Sequence, residues 1–311
     1  MSKKKVLVLG GSGFVGRELL KALLINEDKY TLTVLEHKNN IDDQPEGTLR
    51  LIQGDLFSAN WNRILADPPD IVFHLARLNA RAFGSLGRLV ASLKGYWANR
   101  RLKHALEKTG YPINLIYLSG SLMYGEGLNL NESSGLHPVS FAREYQIAEK
   151  PFNAVHKNSS LTSTMVRVPW VMGFGSWYKS FYHDTLKDES RLRYYSHDDF
   201  RMMFIDVEDL ANAFVQIGNM NHKGALNVFM PEEVTYKTFM NFIQQAYNPD
   251  EMDPFNEENI RRDYQFAIAE AFTKEITLST LYPHLHAQFN FQFQNAESML
   301  KARLGQFAKN K

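Results

Sequence analysis

Short apolar runs and helix-period segments alternate through the first half of the chain. Residues 5–9 carry Val6, Leu7, Val8 and Leu9 in succession, as a strand buried on both faces would. Residues 17–26 set Leu19, Leu20, Leu23 and Leu24 on one face and predict a helix. Further strands are predicted at 30–35, 49–53, 71–75, 114–119 and 163–168, with helices at 83–108 and 141–157. Such alternation predicts an α/β fold, a doubly wound parallel sheet with crossover helices. Beyond it the order is less regular. Strands are predicted at 204–207 and 225–229 and helices at 236–247 and 256–270, the last with Asn256 as N-cap. Residues 248–256, with two prolines and three acids, read as a surface loop.

The first strand runs into Gly10-Gly11-Ser12-Gly13-Phe14-Val15-Gly16, which opens the first helix. Glycines at 10, 13 and 16 suit a tight turn, a backbone that approaches a pyrophosphate, and a helix packed close to its strand. A helix N-terminus there presents unpaired N–H groups and partial positive charge to phosphates. Glu36 ends the second strand, 20 residues past Gly16, where an acid can accept the hydroxyls of an adenosine ribose. Strand, loop, helix, strand and acid in register predict a Rossmann-type site for NAD or NADP. Glu36 favours NAD, while the neighbouring His37 and Lys38 could hold a 2′-phosphate.

Composition narrows the partners. The 311 residues are 44% hydrophobic and 22% charged, with a net charge of +1, so the overall field points to neither nucleic acid nor membrane. No cysteine is present, which excludes disulfides and thiolate metal sites and suits a reducing compartment. The apolar run after Met-Ser-Lys-Lys-Lys stops after four residues, too short for a secretory signal, and the expectation is a cytoplasmic protein.

An ordered series of motifs resembles the extended short-chain dehydrogenase/reductases, the NAD-dependent epimerase/dehydratase family. Residues 9–16 resemble its T-G-x-x-G-x-x-G, with Leu9 in place of threonine. Gly54-Asp55-Leu56 resembles the segment whose acid contacts adenine, and His74-Leu75-Ala76 the strand end that passes under the cofactor, with Arg77 next in line to reach a phosphate. Ser119-Gly120-Ser121-Leu122-Met123-Tyr124-Gly125 resembles S-S-x-x-V-Y-G, and the stretch from Arg167 through Pro169 to Gly173 resembles R-P-x-x-V-Y-G. Asp206–Ala211 and Asn227-Val228 resemble later motifs. The resemblance implies a Rossmann domain of about 1–166, with the chain returning near 204–228. A smaller substrate lobe is then made from 167–203 and 229–311.

The family's chemistry rests on a Ser/Thr and a Y-x-x-x-K pair, whose lysine binds the ribose and lowers the tyrosine pKa. No tyrosine here has lysine four residues later. Counting back from Glu149 puts Phe141 in the tyrosine slot and Tyr145 in the lysine slot; the other register makes Tyr145 the tyrosine. Gly120 holds the Ser/Thr slot. Without a cation one turn away, a tyrosine here is expected to stay protonated through neutral pH, favouring proton donation over alcohol oxidation. Tyr145, Tyr124 and Ser121 are the candidate acid–base groups, acting on a small carbonyl, hydroxyl or sugar-like substrate. The alternative is a dinucleotide-binding regulator or assembly factor without turnover.

Residues 77–108 carry eight Lys/Arg against one acid. They read as a solvated or subunit face, consistent with a homodimer, ahead of an anion-binding surface. His284 and His286 read as loop histidines, with no metal expected. The aromatics of 170–182 and 194–204 read as lobe packing, some of it lining an apolar substrate pocket.

Overall fold

The apolar runs of the first half become neighbouring strands of one sheet. The computed structural model describes residues 2–37, 49–77, 84–153, 159–195, 199–255, 271 and 273–309. The chain begins β1 (Lys4–Leu9), α1 (Phe14–Leu24), β2 (Tyr30–Glu36), β3 (Leu49–Gln53), α2 (Trp61–Ile64), β4 (Ile71–His74), α3 (Gly84–Lys108) and β5 (Ile113–Gly120). It continues through β6 (Gly127–Leu130), α4 (Ser140–Asn153), β7 (Leu161–Val168), β8 (Trp170–Met172), α5 (Asp184–Glu189), β9 (Arg191–Tyr195) and β10 (Arg201–Asp206). Then come α6 (Val207–Gly218), β11 (Gly224–Asn227), β12 (Glu233–Thr235), α7 (Tyr236–Tyr247), β13 (Glu251–Phe255), β14 (Ile276–Leu278) and a C-terminal helix, Ala296–Lys309.

The seven-stranded sheet has the order β11-β7-β5-β4-β1-β2-β3. β1 pairs in parallel with β2 (Leu9 opposite Leu35) and with β4 (Leu9 opposite His74). β2–β3 and β4–β5 are parallel as well. Strand order therefore reverses between β1 and β4, the switch point at which open α/β sheets bind ligands. Val8, Val72, Phe73, Leu115 and Ile116 are fully buried, as central parallel strands require.

The chain divides into two units. The first comprises Met1–Ser119, Arg143–Arg167 and Leu210–Leu226; the second comprises Gly120–Ala142, Val168–Asp209 and Asn227–Lys311. The second unit has an aromatic core in which Tyr178, Tyr182, Phe204, Phe239 and Phe307 pack together with Met299, Leu300 and Leu304 of the C-terminal helix. In it β10 pairs with β8 and β12, and β9 with β13. No helix among the described residues is long and apolar enough to cross a membrane.

Several elements differ from the patterned expectation. Helix α1 starts at Phe14, not residue 17, because Arg17 N–H already donates to the Gly13 carbonyl at 2.9 Å; the helix begins inside the glycine loop. The strand expected at 204–207 runs instead from Arg201 to Asp206 and gives way to α6, which the pattern did not suggest. Asp206 Oδ1 accepts the N–H of Glu208 at 2.9 Å, which turns the chain into a helix that buries Leu210, Phe214 and Ile217. The expected loop at 248–256 contains a strand. Asn248 ends α7 in the left-handed region, and residues 251–255 then pair in parallel with β9, Pro254 being tolerated in a two-stranded edge. Residues 284 and 286 sit in a one-turn helix, Pro283–His286, not a loop. The helix expected at 256–270 and the residue Lys38 lie outside the described residues.

Candidate functional site

The glycine loop is built by contacts that leave no room for side chains. Gly10 has φ +90°, and a Cβ there would lie 2.6 Å from the Ala76 backbone nitrogen. A Cβ on Gly16 would lie 2.1 Å from the Gly10 carbonyl oxygen, and one on Gly13 would lie 3.2 Å from the same atom. Gly13 N–H donates to that carbonyl at 3.1 Å, closing the turn. Gly13 is also the N-cap of α1 and has no side chain with which to cap the first turn. Ser12 and Phe14 are half-buried, Gly13 is exposed, and Val15 and Gly16 are buried. The result is an open backbone cradle at a helix N-terminus, a fit for a pyrophosphate.

Around the cradle stand the strand ends. Glu36, 5% exposed, closes β2; its carboxylate accepts from Gln53 Nε2, and its carbonyl accepts Gly54 N–H at 2.9 Å. Asp55 turns inward on its own loop. Oδ1 accepts the N–H groups of Phe57 at 2.8 Å and Ser58 at 3.0 Å, and Oδ2 accepts the Ser58 hydroxyl. The Ser58 hydroxyl, then these backbone donors, hold the carboxyl below the usual range. Leu56 is buried in the apolar cluster with Leu9 and Leu35, and Ala76 packs against that cluster. Leu75 N–H donates to the Leu9 carbonyl at 2.8 Å, which ties the end of β4 to the end of β1.

The first unit also holds Tyr145, half-buried on α4. Arg77, the exposed residue just past β4, lays its guanidinium over the Tyr145 ring at 3.4 Å from the centroid. No lysine stands one helical turn from this tyrosine, but a cation reaches its ring from a strand end. One turn beyond, Glu149 is 1% exposed. It accepts from Ser119 Oγ at 2.6 Å and from Arg167 Nη2 at 2.9 Å, Arg167 itself being 3% exposed. Such a pair is favourable only with further hydrogen bonds, which Ser119 and Asn153 supply.

Beside it lies a second polar core. His74 is 1% exposed, with Nε2 2.8 Å from Asn99 Oδ1, while Asn99 Nδ2 donates to the Ala148 carbonyl. That second bond fixes the amide, so Nε2 carries the hydrogen and Nδ1 is left without a partner. Burial lowers the His74 pKa to about 4, Asn99 opposing. Tyr117 meets His74 edge-on at 5.0 Å and touches Phe152 at 5.3 Å. Burial first, and then the Glu149 charge, push its phenol upward, Arg77 opposing.

In the second unit, Gly120 has extended backbone, and a Cβ there would meet nothing nearer than the Val168 carbonyl oxygen at 3.7 Å. Ser121, 8% exposed, opens a one-turn 3-10 helix and accepts Tyr124 N–H through its carbonyl at 2.9 Å. Tyr124 is 2% exposed among Met203, Phe229 and Leu278, and its hydroxyl donates to Asn227 Oδ1 at 2.7 Å. Pro169 is buried between β7 and β8. His286 Nε2 lies 2.8 Å from the Phe229 carbonyl. The structure thus brings Gly10–Gly16, Leu75, Ala76 and Arg77 together with Tyr145 and Glu36 in the first unit, and assigns Ser121, Tyr124 and Pro169 to the second.

Sequence reasoning missed the Arg77–Tyr145 stack, the His74–Asn99 pair and the Ser119–Glu149–Arg167 trio. One signal was available: Arg167 sits between Val166 and Val168 in an apolar strand, and a charge in such a place calls for a buried partner. Helix α3 carries the basic region and also exposes Leu89, Val90, Leu93 and Trp97, with Arg100 5.1 Å above the Trp97 ring.

The chain belongs to the NAD dependent epimerase/dehydratase family, whose model matches residues 6–228. It is 25% identical over 186 residues to UDP-glucose 4-epimerase of Mycoplasma genitalium, a match covering 53% of this chain and about half, 52%, of that enzyme. Two solved structures share the fold over nearly the whole length. UDP-N-acetylglucosamine 4-epimerase from Methanobrevibacter ruminantium, in complex with UDP-N-acetylmuramic acid, has a TM-score of 0.77 at 21% identity, covering 99% of this chain and 98% of that one. Human epimerase family protein SDR39U1, with NADPH, has a TM-score of 0.74 at 19% identity, covering 99% and 100%.

Proposed function

We propose that this protein binds NAD(H), with NADP(H) as the alternative, on the cradle of residues 10–16 and Glu36. It then reduces, or transforms without net redox, a small carbonyl, hydroxyl or sugar-like substrate. The observation that carries the reading is the pair of backbone contacts at Gly10 and Gly16, which reserve the loop for glycine and keep it open to a pyrophosphate. Sugar nucleotides bound or transformed by the relatives support the substrate class. Bound there, the dinucleotide would supply or accept a hydride. Tyr145 is the proposed acid, handing its phenol proton to the substrate oxygen; Tyr124, its hydroxyl given to Asn227, and Ser121 are the lesser candidates. As a protein partner, a second copy of the chain suits the apolar row on α3.

A second reading is a dinucleotide-binding protein without turnover. It is favoured by Gly120 in the Ser/Thr slot and by the absence of any Y-x-x-x-K. One experiment separates the two. Calorimetric titration with NAD(H) and NADP(H) is expected to show binding to the wild type and none to folded Gly13→Val, and unchanged affinity in that variant would sink the cradle assignment. Turnover of a panel of sugar nucleotides and simple carbonyls is then expected to fall about 10²–10⁴-fold in Tyr145→Phe. Tight binding with no turnover on any substrate would favour the second reading.

A further inference from the structure

The family's lysine is missing from α4, yet Tyr145 is not without a cation. The Arg77 guanidinium lies 3.4 Å from the Tyr145 ring centroid, reaching it from the end of β4. Centred on the ring face, it brings the phenol oxygen within the roughly 4–6 Å over which an opposite charge favours an ionised form. The contact is a close cation–π approach, of the kind arginine makes more often than lysine. Ala76, one residue earlier, is pinned against Gly10 by the glycine loop, so the base of the Arg77 side chain is set by the same packing that shapes the cradle.

We propose that Arg77 is the positioning residue for Tyr145: its guanidinium holds the ring in place and supplies, from β4, the positive charge that the family takes from a lysine on the helix. The phenol then gives up its proton with the resulting phenolate facing a guanidinium. This inference rests on Tyr145 being the acid of the proposed function.

Described titratable and polar groups on α4 and on the strands and helix beside it bear on that charge. On α4 itself Glu149 stands one turn away, its carboxylate held by Arg167 of β7 and by Ser119 of β5. From β5 comes Tyr117, whose phenol feels the charges of Glu149, Arg77 and Tyr145. From β4 comes His74, neutral through burial, and from α3 the uncharged Asn99. Among these described side chains Glu149 is the anion, and Arg167 already faces it.

The test needs neither substrate nor cofactor. The protein is labelled with [ζ-¹³C]tyrosine, and the Tyr145 resonance is assigned by its loss in Tyr145→Phe and followed against pH. Arg77→Met keeps bulk and removes charge. In it the Tyr145 titration midpoint is expected to move up by at least about one unit, and Arg77→Lys is expected to recover part of that shift. Coincident titrations in wild type and Arg77→Met would overturn the proposal, as would a wild-type Tyr145 that stays protonated until alkaline unfolding. Arg77→Gln serves as the second charge-free variant if Arg77→Met fails to fold. Dinucleotide affinity is measured on the same samples. Its absence in the wild type refutes the proposed function, while the titration still decides the role of Arg77.

Discussion

At the end of β1, a Cβ on Gly16 would lie 2.1 Å from a backbone oxygen; at the end of β5, a Cβ on Gly120 would come no nearer than 3.7 Å to one. The first glycine is demanded by the fold, whatever the protein does. The second is not: its backbone is extended, and a serine would fit. The glycine at 120 is therefore under no steric compulsion of the kind that holds Gly16. Different physical constraints act on the two positions: backbone packing at Gly16, none of that kind at Gly120.

The largest effect is expected at Gly16. Gly16→Ala is expected to cost about 4–5 kcal/mol by urea unfolding and to remove dinucleotide binding, since the clash is backbone against backbone. A fully stable variant would mean that the close approach is not real. Next in size is the trio that starts one residue before Gly120. Glu149→Gln removes the carboxylate charge that faces buried Arg167 and is expected to cost about 3–4 kcal/mol. Glu149→Leu combined with Arg167→Met should recover much of that loss.

His74 gives an effect of about 3 kcal/mol that appears only in acid. Its pKa is about 4 folded against 6.5 ordinarily, so between those values the unfolded chain takes up a proton that the folded one refuses. Its stabilisation is full above pH 6.5 and is lost as pH falls towards 4. Asp209, pushed to about 6 chiefly by burial, titrates in the opposite sense over pH 4–6. The informative quantity is therefore the difference between wild type and His74→Gln, in which Asp209 cancels. A difference that does not change with pH would refute a neutral buried His74. Smallest of all, Gly120→Ser is expected to change stability by less than about 1 kcal/mol.

The parts legible in the sequence are those in which local pattern and global packing agree. β3 and α7 fall on the predicted residues, because the apolar period and the flanking breakers coincide. The glycine loop was legible for a related reason: one contiguous stretch contains the whole device. α6 was hidden because its cap, Asp206, also ends a strand, and β13 because prolines and acids read as loop even where an edge pairing absorbs them. The surroundings of Tyr145 were illegible for a third reason. Arg77, Tyr117, Asn99 and Glu149 come from four elements, and only the folded sheet says that a cation from β4 arrives where a helical lysine was absent.

The first unit is also discontinuous, closing only with Leu210–Leu226. During synthesis, β7 leaves the ribosome some sixty residues before β11, the strand that covers its outer edge. In that interval a nascent chain presents Met165, Val166 and Val168, all buried in the finished molecule, beside an unpaired row of backbone donors and acceptors. Seen from the ribosome, the segment ending in β11 is the latch of the sheet. Until that segment arrives, the edge of β7 is open to pairing with another strand.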